Sequence, residues 1–276
     1  QPGLRPQHVQ AVKAAGAICN ARLEGVEEHS RQLLFEPQTA PQAGAYHFTI
    51  GTAGSATLLL QTVLVPLALA GAPSQVTVRG GTHVSWSPPF DYVQRVYAPA
   101  LAPLGYQADL QLVQWGFYPK GGGEIVATIQ PRSAGTAGPP AWAQPRGPLA
   151  RLSVLSAAAN VGHQVPARPA RPADTRRATA GLPAQPQTRL LNPSAAGPGT
   201  CVFVLAEYGG GVRAGFTGYG RQGYPAERVA DDAVDSFLAF QRSGHAVDPR
   251  LADQLILPLA LSRQPLSYQT SEITQH

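Results

Sequence analysis

Two apolar segments of the chain each carry a polar side chain at the same place. Segments 61–70 and 253–262 share the run Pro-Leu-Ala-Leu, with Pro66 aligned on Pro258 at an offset of 192 residues. In this alignment Gln61 corresponds to Asp253, and a polar group on a buried helix needs a partner. If the segments are duplicated helices, both groups are predicted to face one site, with Gln61 contacting a base or ribose and Asp253 holding a ribose hydroxyl or a metal ion. Chance similarity between two leucine-rich helices is the alternative.

A run of three glycines at residues 121–123 is a second candidate site. Backbone N–H groups in such a loop can bind phosphate. Another glycine-containing turn, residues 51–55 (Gly-Thr-Ala-Gly-Ser), opens the first of the two apolar segments. For residues 121–123 a tight connection between strands is the favoured interpretation.

Composition limits the classes of protein to which the chain can belong. Its 276 residues are 43% hydrophobic and 13% charged, which is typical of a globular protein. The longest apolar run, 58–72, is interrupted and too short to span a bilayer, and two cysteines without metal-ligand spacing fit a reducing compartment. We therefore expect a soluble, cytoplasmic protein.

The net charge of +5 fits a polyanionic partner, although a general basic drift in composition explains it equally well. Because the sequence contains no methionine and begins with Gln1, we also expect it to be part of a longer chain.

Helical and strand patterns are mixed along the sequence. The patterns predict helices at 5–20, 56–70, 92–101 and 225–243, and strands at 32–35, 46–50, 75–79, 110–115, 125–129, 150–157, 201–206 and 212–216. Strand pairs between helices indicate a layered α+β fold. Residues 165–186 interrupt the pattern, since five prolines there would break a long helix.

Five segments together resemble the RNA 3'-terminal phosphate cyclase family. They are 2–8 (Pro-Gly-Leu-Arg-Pro-Gln-His), 51–55 with 60–64 (Leu-Gln-Thr-Val-Leu), 80–82 (Gly-Gly-Thr), 116–123 (Gly-Phe-Tyr-Pro-Lys-Gly-Gly-Gly) and 251–261 (Leu-Ala-Asp-Gln-Leu-Ile-Leu-Pro-Leu-Ala-Leu). Each segment is a weak signal alone. They occur in the family's order and cover most of the chain, so jointly they are specific.

The resemblance implies an α+β fold with a particular domain plan. Repeated βαβαββ units, like the C-terminal domain of a bacterial translation initiation factor, would form a large domain from residues 1–161 and 245–276. A smaller inserted α/β domain, thioredoxin-like in topology, would occupy residues 162–244, where the composition changes.

The resemblance also implies a reaction. An enzyme of this family uses ATP and a divalent metal (Mg or Mn) to convert an RNA 3'-terminal phosphate into a 2',3'-cyclic phosphate. It acts as a ligase-type nucleotidyltransferase, through a covalent histidine-AMP intermediate and then an RNA-adenylate. The implied partners are ATP and RNA with a 3'-phosphate end, without a membrane, while the oligomeric state stays open.

Residue by residue, the resemblance identifies His276 as the adenylated histidine, in the frame 270–276. A neutral imidazole is a competent nucleophile at neutral pH. Gln61 matches a nucleotide-contacting glutamine, and Pro89 and Tyr92 match positions that pack near the adenine, although a core or turn role would also explain both residues. The matched ATP-binding stretch consists of Arg250, Leu251, Ala252, Asp253 and Gln254.

Substrate contacts are implied for Arg5 and Gln7, which lie beside the family's phosphate-binding arginines. Those arginines, and a metal-binding glutamate, correspond to positions before Gln1, so the metal ligands stay unknown. An aromatic residue is common where Arg250 stands, and an arginine could stack on a base in its place.

Two other classes of protein remain as alternatives. A cyclase-like protein without the chemistry could bind RNA and act in ribosome assembly, but such relatives lack the histidine that His276 matches. An enolpyruvyl transferase shares the repeated architecture, but it would need clustered cationic side chains, and lysine is scarce here.

Overall fold

The structure, a computed structural model, describes residues 3–135, 138–161, 186–262 and 265–274. The chain divides into two compact units. Unit 1 comprises Gln1–Phe90, Gly105–Ala134 and Ala195–Gly197, and unit 2 comprises Asp91–Leu104, Gly135–Ser194 and Pro198–His276.

Unit 1 is a four-stranded sheet with helices packed against it. Its elements are α1 (Pro6–Ile18), β1 (Arg22–Glu24), β2 (Leu34–Glu36), β3 (Ala45–Thr49), α2 (Ala56–Ala68), β4 (Ser74–Gly80), β5 (Ala108–Gln114) and β6 (Gly123–Ile129). The strand order is β3-β4-β6-β5, with β3 and β4 parallel and the other pairs antiparallel, while β1 and β2 form a separate ribbon. Alternate residues of β4 and β6 are buried, and α2 covers them with a nearly continuous apolar surface.

A helical segment from residue 90 to residue 104 joins the units in sequence. It contains α3 (Phe90–Tyr92), a π-helical turn (Val93–Tyr97), α4 (Ala98–Leu101) and a 3-10 turn (Ala102–Leu104). Within unit 2 this segment lies against β10 (Arg213–Tyr219). A Cβ on Gly215 would lie 2.8 Å from the Tyr92 ring, so the close approach requires glycine.

Unit 2 is built on a second four-stranded sheet. Its strands are β7 (Leu149–Ala159), β8 (Gln187–Leu191), β9 (Gly199–Tyr208) and β10, in the order β10-β9-β7-β8. Helix α5 (Ala226–Ser243) covers one face, where Phe216 contacts Phe237 and Phe240. The final helix is α6 (Pro249–Ser262).

The predicted mixture of helices with several sheets is confirmed, and both repeat segments are helices with an internal proline. The short strands β1 and β8 carried no clear sequence signal. Strand β7 comes before the predicted insert in the sequence, whereas β8, β9 and β10 belong to the insert. All four strands form one sheet. The domain boundaries at 161/162 and 244/245 stay predictions, as do the repeated units. Most of segment 165–186 lies outside the described residues. In the part of the chain that is described, no helix is long and apolar enough to cross a membrane.

Candidate nucleotide site

The chain following α6 returns along the N-terminal half of that helix. Val247 forms a parallel bridge with Thr270, and its N–H donates to the Gln269 carbonyl at 3.3 Å. The Tyr268 hydroxyl donates to the Ala252 carbonyl at 2.6 Å.

At the end of this segment, Thr274 Oγ1 donates to Asp253 Oδ2 at 2.5 Å. Thr274 is the last residue that the structure describes, and it contacts Asp253, one of the predicted site residues. In the sequence it lies two residues before His276. His276 itself lies outside the described residues.

Asp248 starts helix α6. The N–H groups of Arg250 and Leu251 donate to its Oδ1 at 3.1 and 3.0 Å, which is the N-cap arrangement that short acidic side chains favour. The Tyr92 hydroxyl donates to both carboxylate oxygens, at 2.9 and 3.1 Å. Asp248 is only 1% exposed, so its capping role and its contact with Tyr92 are both fully inside the protein.

Burial controls the titration of this pair. Desolvation raises the pKa of Asp248 to about 6, although the Leu251 N–H, the Tyr92 hydroxyl and the Arg250 charge oppose the shift. Desolvation, followed by the neighbouring Asp248 charge, raises the pKa of Tyr92 well above its usual value. The phenol therefore keeps its proton, while the carboxyl can change charge close to neutral pH.

A cavity of about 500 Å³ lies between the end of β10, the C-terminal half of α5 and the start of α6. Its walls are formed by Gly215, Phe216, Thr217, Ser236, Ala239, Phe240, Ser243, Asp248, Pro249, Arg250, Ser271, Glu272 and Thr274. Cavities of this size accommodate small ligands. Thr217 Oγ1 is buried and has no hydrogen-bond partner among the described residues. This hydroxyl and the exposed Arg250 are groups to which a ligand could bind.

In unit 1, helix α2 begins with a chain of buried hydroxyls. Ser55 Oγ accepts from the Leu58 N–H at 3.2 Å and lies 2.7 Å from Thr57 Oγ1, which donates to the Pro88 carbonyl at 2.7 Å. The Ser55 N–H donates to Gln7 Oε1 at 3.2 Å. Gln7 thus fixes the glycine-rich turn before α2 through a neutral contact.

Two side chains from the predicted site have buried polar atoms without hydrogen-bond partners among the described residues. These atoms are Nε2 of Gln61 on α2 and Oε1 of Gln254 on α6. A buried amide left unsatisfied costs about 1–3 kcal/mol. Such an atom is a candidate contact for a ligand, because binding would remove the penalty. Gln61 belongs to unit 1 and Asp253 to unit 2, so the single site expected from the repeat stays a prediction.

The remaining predicted residues have mixed environments. Pro89 and Tyr92 are buried, with the Tyr92 ring 0% exposed, and their packing against adenine stays a prediction. Arg5 is exposed at the start of α1, where its N–H donates to His8 Nδ1 at 3.1 Å. Leu251 and Ala252 are buried on α6, so their side chains serve packing.

Sequence reasoning missed Asp248, Thr217 and Thr274. Asp248 had a signal, since Asp followed by Pro is a typical helix start. Thr217 and Thr274 had none, because only the packing of β10 and of the returning C-terminal segment brings their hydroxyls to this region.

For a metal ion, the described part of the chain contains no cluster of three or more His, Cys, Asp or Glu side chains. Asp248 and Glu272 are the two carboxylates that line the cavity. These residues do not by themselves make a complete protein metal site.

Comparison with known proteins agrees with the resemblance noted in the sequence. A family model described as RNA 3'-terminal phosphate cyclase matches residues 1–276. A protein of that name from Nostoc punctiforme is 41% identical over 282 aligned positions, covering 100% of this chain and 79% of the relative. A Methylococcus capsulatus relative is 43% identical, with 100% and 77% coverage, and a Pyrobaculum aerophilum relative is 35% identical, with 100% and 78% coverage; both have the same name. The predicted enzyme family is thereby confirmed, and the chain belongs to the RNA 3'-terminal phosphate cyclase family.

Proposed function

We propose that this protein uses ATP to convert an RNA 3'-terminal phosphate into a 2',3'-cyclic phosphate, with His276 as the nucleophile. The observation that carries the proposal is the hydrogen bond from Thr274 to Asp253. It ties the segment that leads to His276 to the predicted ATP-binding stretch. Residues two positions apart have Cα atoms at most about 7 Å from each other, so we infer that the nucleophile acts beside the ATP-binding stretch.

The chemistry proceeds in three balanced steps. An imidazole nitrogen attacks the α-phosphorus of ATP, a P–N bond forms, the bond to the β-phosphate oxygen breaks, and pyrophosphate leaves as the ring loses its N–H proton to solvent. An oxygen of the RNA 3'-phosphate then attacks the same phosphorus, the P–N bond breaks, and the leaving imidazole takes up a proton from solvent. Finally the adjacent 2'-hydroxyl attacks the RNA phosphorus, loses its proton and expels AMP. Two nucleotidyl transfers thus provide the leaving group that the 3'-phosphate lacks.

The cavity beside α6 supplies groups suited to the nucleotide. Arg250 at its edge provides a fixed positive charge for phosphate oxygens. Thr217 provides a hydroxyl without a partner among the described residues, suited to a ribose or phosphate oxygen. Asp248 is half-protonated near pH 6, so below that pH it adds little negative charge beside an anionic ligand.

In unit 1, the buried Nε2 of Gln61 is the group that the proposal assigns to nucleotide contact. Its amide could donate to a base or ribose oxygen. Arg5 and Gln7 are assigned to the RNA substrate. Of these two, only Arg5 carries a charge, and it is exposed.

A divalent metal remains part of the proposal. Mg²⁺ is commonly held by one or two carboxylates together with substrate phosphates and water, and the exposed Glu272 at the cavity is a carboxylate of that kind. When bound, the metal would neutralise charge on the phosphates.

The family implies a wider architecture, which we also propose for this protein. The repeated βαβαββ units, the insert at residues 162–244 and a cytoplasmic location are parts of it. In chain order, the elements from β3 to β6 run strand, helix, strand, helical segment, strand, strand, which supports one such unit.

The decisive experiment is protein labelling with α-phosphate-labelled ATP and Mg²⁺ or Mn²⁺. We expect acid-labile label on the native protein, because P–N bonds are cleaved by acid, and a loss of at least 1000-fold in His276→Ala, because the nucleophile is gone. His47→Ala, an exposed histidine on β3, is the matched control and should label normally. Equal labelling of native protein and His276→Ala would refute the nucleophile.

Thr274→Val tests the positioning argument within the same assay. The variant keeps the shape of the side chain and loses the hydroxyl that donates to Asp253, so we expect labelling about tenfold slower with an unchanged far-UV spectrum. Cyclisation of RNA ending in a 3'-phosphate, with RNA ending in a 3'-hydroxyl as the control, tests the complete reaction. Absence of label and of cyclic product would favour the RNA-binding scaffold.

A further inference from the structure

One face of the unit 2 sheet carries a cluster of arginines that the proposed reaction does not use. Register places Arg151 of β7 opposite Glu207 of β9, which in turn lies opposite Arg213 of β10. Side chains two residues apart on a strand lie on the same face of the sheet. Two residues along the strands, this face therefore carries Ser153, Leu205 and Gln187. Four residues along, it carries Leu155, Phe203 and Arg189. Helix α5 covers the opposite face, where Phe216 lies.

This face contains a cavity of about 260 Å³. Its lining residues are Arg95, Arg151, Ser153, Val154, Leu155, Gln187, Thr188, Arg189, Phe203 and Leu205. The floor is apolar, with Phe203 2% exposed, while arginines stand around the rim. All of these residues belong to unit 2.

The arginines at this cavity outnumber the carboxylates that pair with them. Arg151 and Arg213 share a single carboxylate, Glu207, at 2.5 and 3.4 Å. Arg95 lies 3.9 Å from Asp91, and its buried Nε makes no hydrogen bond to a described residue.

The fourth arginine, Arg189, is exposed, and no described carboxylate pairs with it. Three of these arginines line the cavity. When the ion-pair partners beside it are included (Arg213, Glu207 and Asp91), four guanidinium groups face two carboxylates, a net charge of 4 − 2 = +2. Planar guanidinium groups bind phosphate oxygens in a bidentate manner. The arginines and the Ser153 hydroxyl at this cavity are groups that can bind phosphate oxygens, and its apolar residues suit the less polar face of a sugar.

We propose that this arginine cavity binds the phosphate backbone of the RNA substrate, through Arg189 and Arg151, as a contact separate from the nucleotide cavity beside α6. The proposal rests on the proposed function, since RNA is the polyanion that the reaction supplies. The excess of arginine over carboxylate favours RNA over an acidic protein surface, because an extended chain of phosphodiesters presents regularly spaced single charges.

Direct RNA binding without ATP tests this contact independently of catalysis. We expect Arg189→Glu to lower the affinity for a 3'-phosphorylated 12-nucleotide RNA by about tenfold or more. The slope of log K against the logarithm of the salt concentration should become shallower by about one, the value for one lost phosphate contact. Arg151→Gln should show a smaller loss, because Glu207 remains partly neutralised by Arg213.

Arg228→Glu is the matched control, since Arg228 is exposed on α5 over the opposite face of the same sheet and the charge change is identical. An equal loss in Arg189→Glu and Arg228→Glu would overturn the proposal in favour of a general charge effect. Millimolar inorganic phosphate that displaced RNA of any length equally well would also overturn it, since a free anion site would then explain the cavity.

Protein labelling by ATP in the absence of RNA separates this inference from the proposed function. Arg189→Glu should label at the native rate. If the native protein fails to label, the adenylation mechanism is wrong, whereas a native affinity for RNA in Arg189→Glu refutes the arginine cavity alone.

Discussion

Helices α2 and α6 share a sequence pattern but have different surroundings. Helix α2 begins at Ser55, whose hydroxyl contacts are all neutral, and its Gln61 has a buried Nε2 without a partner among the described residues. Helix α6 begins at Asp248, a buried acid bonded to Tyr92, and its Asp253 accepts from Thr274.

Two helices with the same apolar pattern therefore bury it differently: Leu64 and Val65 of α2 are 1% exposed, whereas the aligned Ile256 and Leu257 of α6 are 57% exposed. Both helices keep the internal proline and the apolar positions before it. The N-cap and the polar position five or six residues later differ, and these are the positions that carry charge, protons or candidate ligand contacts.

Removing the N-cap side chain should affect the free energy of unfolding more in α6 than in α2, and this is the largest difference that we expect between the two helices. At pH 5, Asp248→Ala should lower the free energy of unfolding by about 2–3 kcal/mol, because two N–H groups and the Tyr92 hydroxyl lose a buried acceptor. Ser55→Ala should cost about 1 kcal/mol, the usual effect of losing a cap. Denaturant titration of both variants measures the contrast, and equal losses would mean that the buried acid has no special role in unit 2.

Asp248 at the start of α6 can titrate, whereas Ser55 at the start of α2 cannot. Only the contribution of the α6 cap to the free energy of unfolding should therefore depend on pH. Asp248 has a pKa of about 6 in the folded protein against 3.8 for an ordinary aspartate. Between pH 4 and 6 the unfolded chain therefore releases a proton that the native state retains, so stability falls as pH rises through this window and is constant above it. The change from pH 4 to pH 7 amounts to about 2 kcal/mol.

Asp248→Asn removes the titrating group while retaining an oxygen that can cap the helix. The difference in unfolding free energy between native protein and Asp248→Asn should therefore move in favour of the variant as pH rises from 4 to 7. Ser55→Ala is the control and should follow the native pH profile. A constant difference between native protein and Asp248→Asn across this range would contradict the raised pKa.

The smallest expected effect concerns the aligned polar positions, Gln61 and Asp253, and it has opposite signs. Gln61→Met should raise the free energy of unfolding by about 1 kcal/mol, since it removes a buried amide without a partner, while protein labelling at low ATP becomes slower. Asp253→Leu should lower the free energy of unfolding by about 1 kcal/mol, because Thr274 loses its acceptor. Chemical denaturation and initial labelling rates check both. A destabilised Gln61→Met with normal ATP use would mean that Gln61 serves packing alone.

Much of the local structure could be predicted from the sequence. The pattern of residues 225–243 predicted α5, and the apolar side chains that repeat at helical spacing along it, Val229, Ala233, Phe237 and Phe240, are all buried. Strand β8 could not be predicted, because it is a short strand that follows a proline-rich segment and is defined by pairing with β7. The cap at Asp248 was readable as a helix start, but its burial and its bond to Tyr92 join positions 156 residues apart.

Residue order and local periodicity were enough to predict the two proline-containing helices, while the family and its candidate nucleotide residues followed from the resemblance of five segments. Three features are visible only in the folded chain: Thr274 contacts Asp253, a buried acid starts α6, and arginines from several elements line one sheet face. Burial, strand register and hydrogen bonding arise when distant segments pack together, and no local pattern specifies which segments those are.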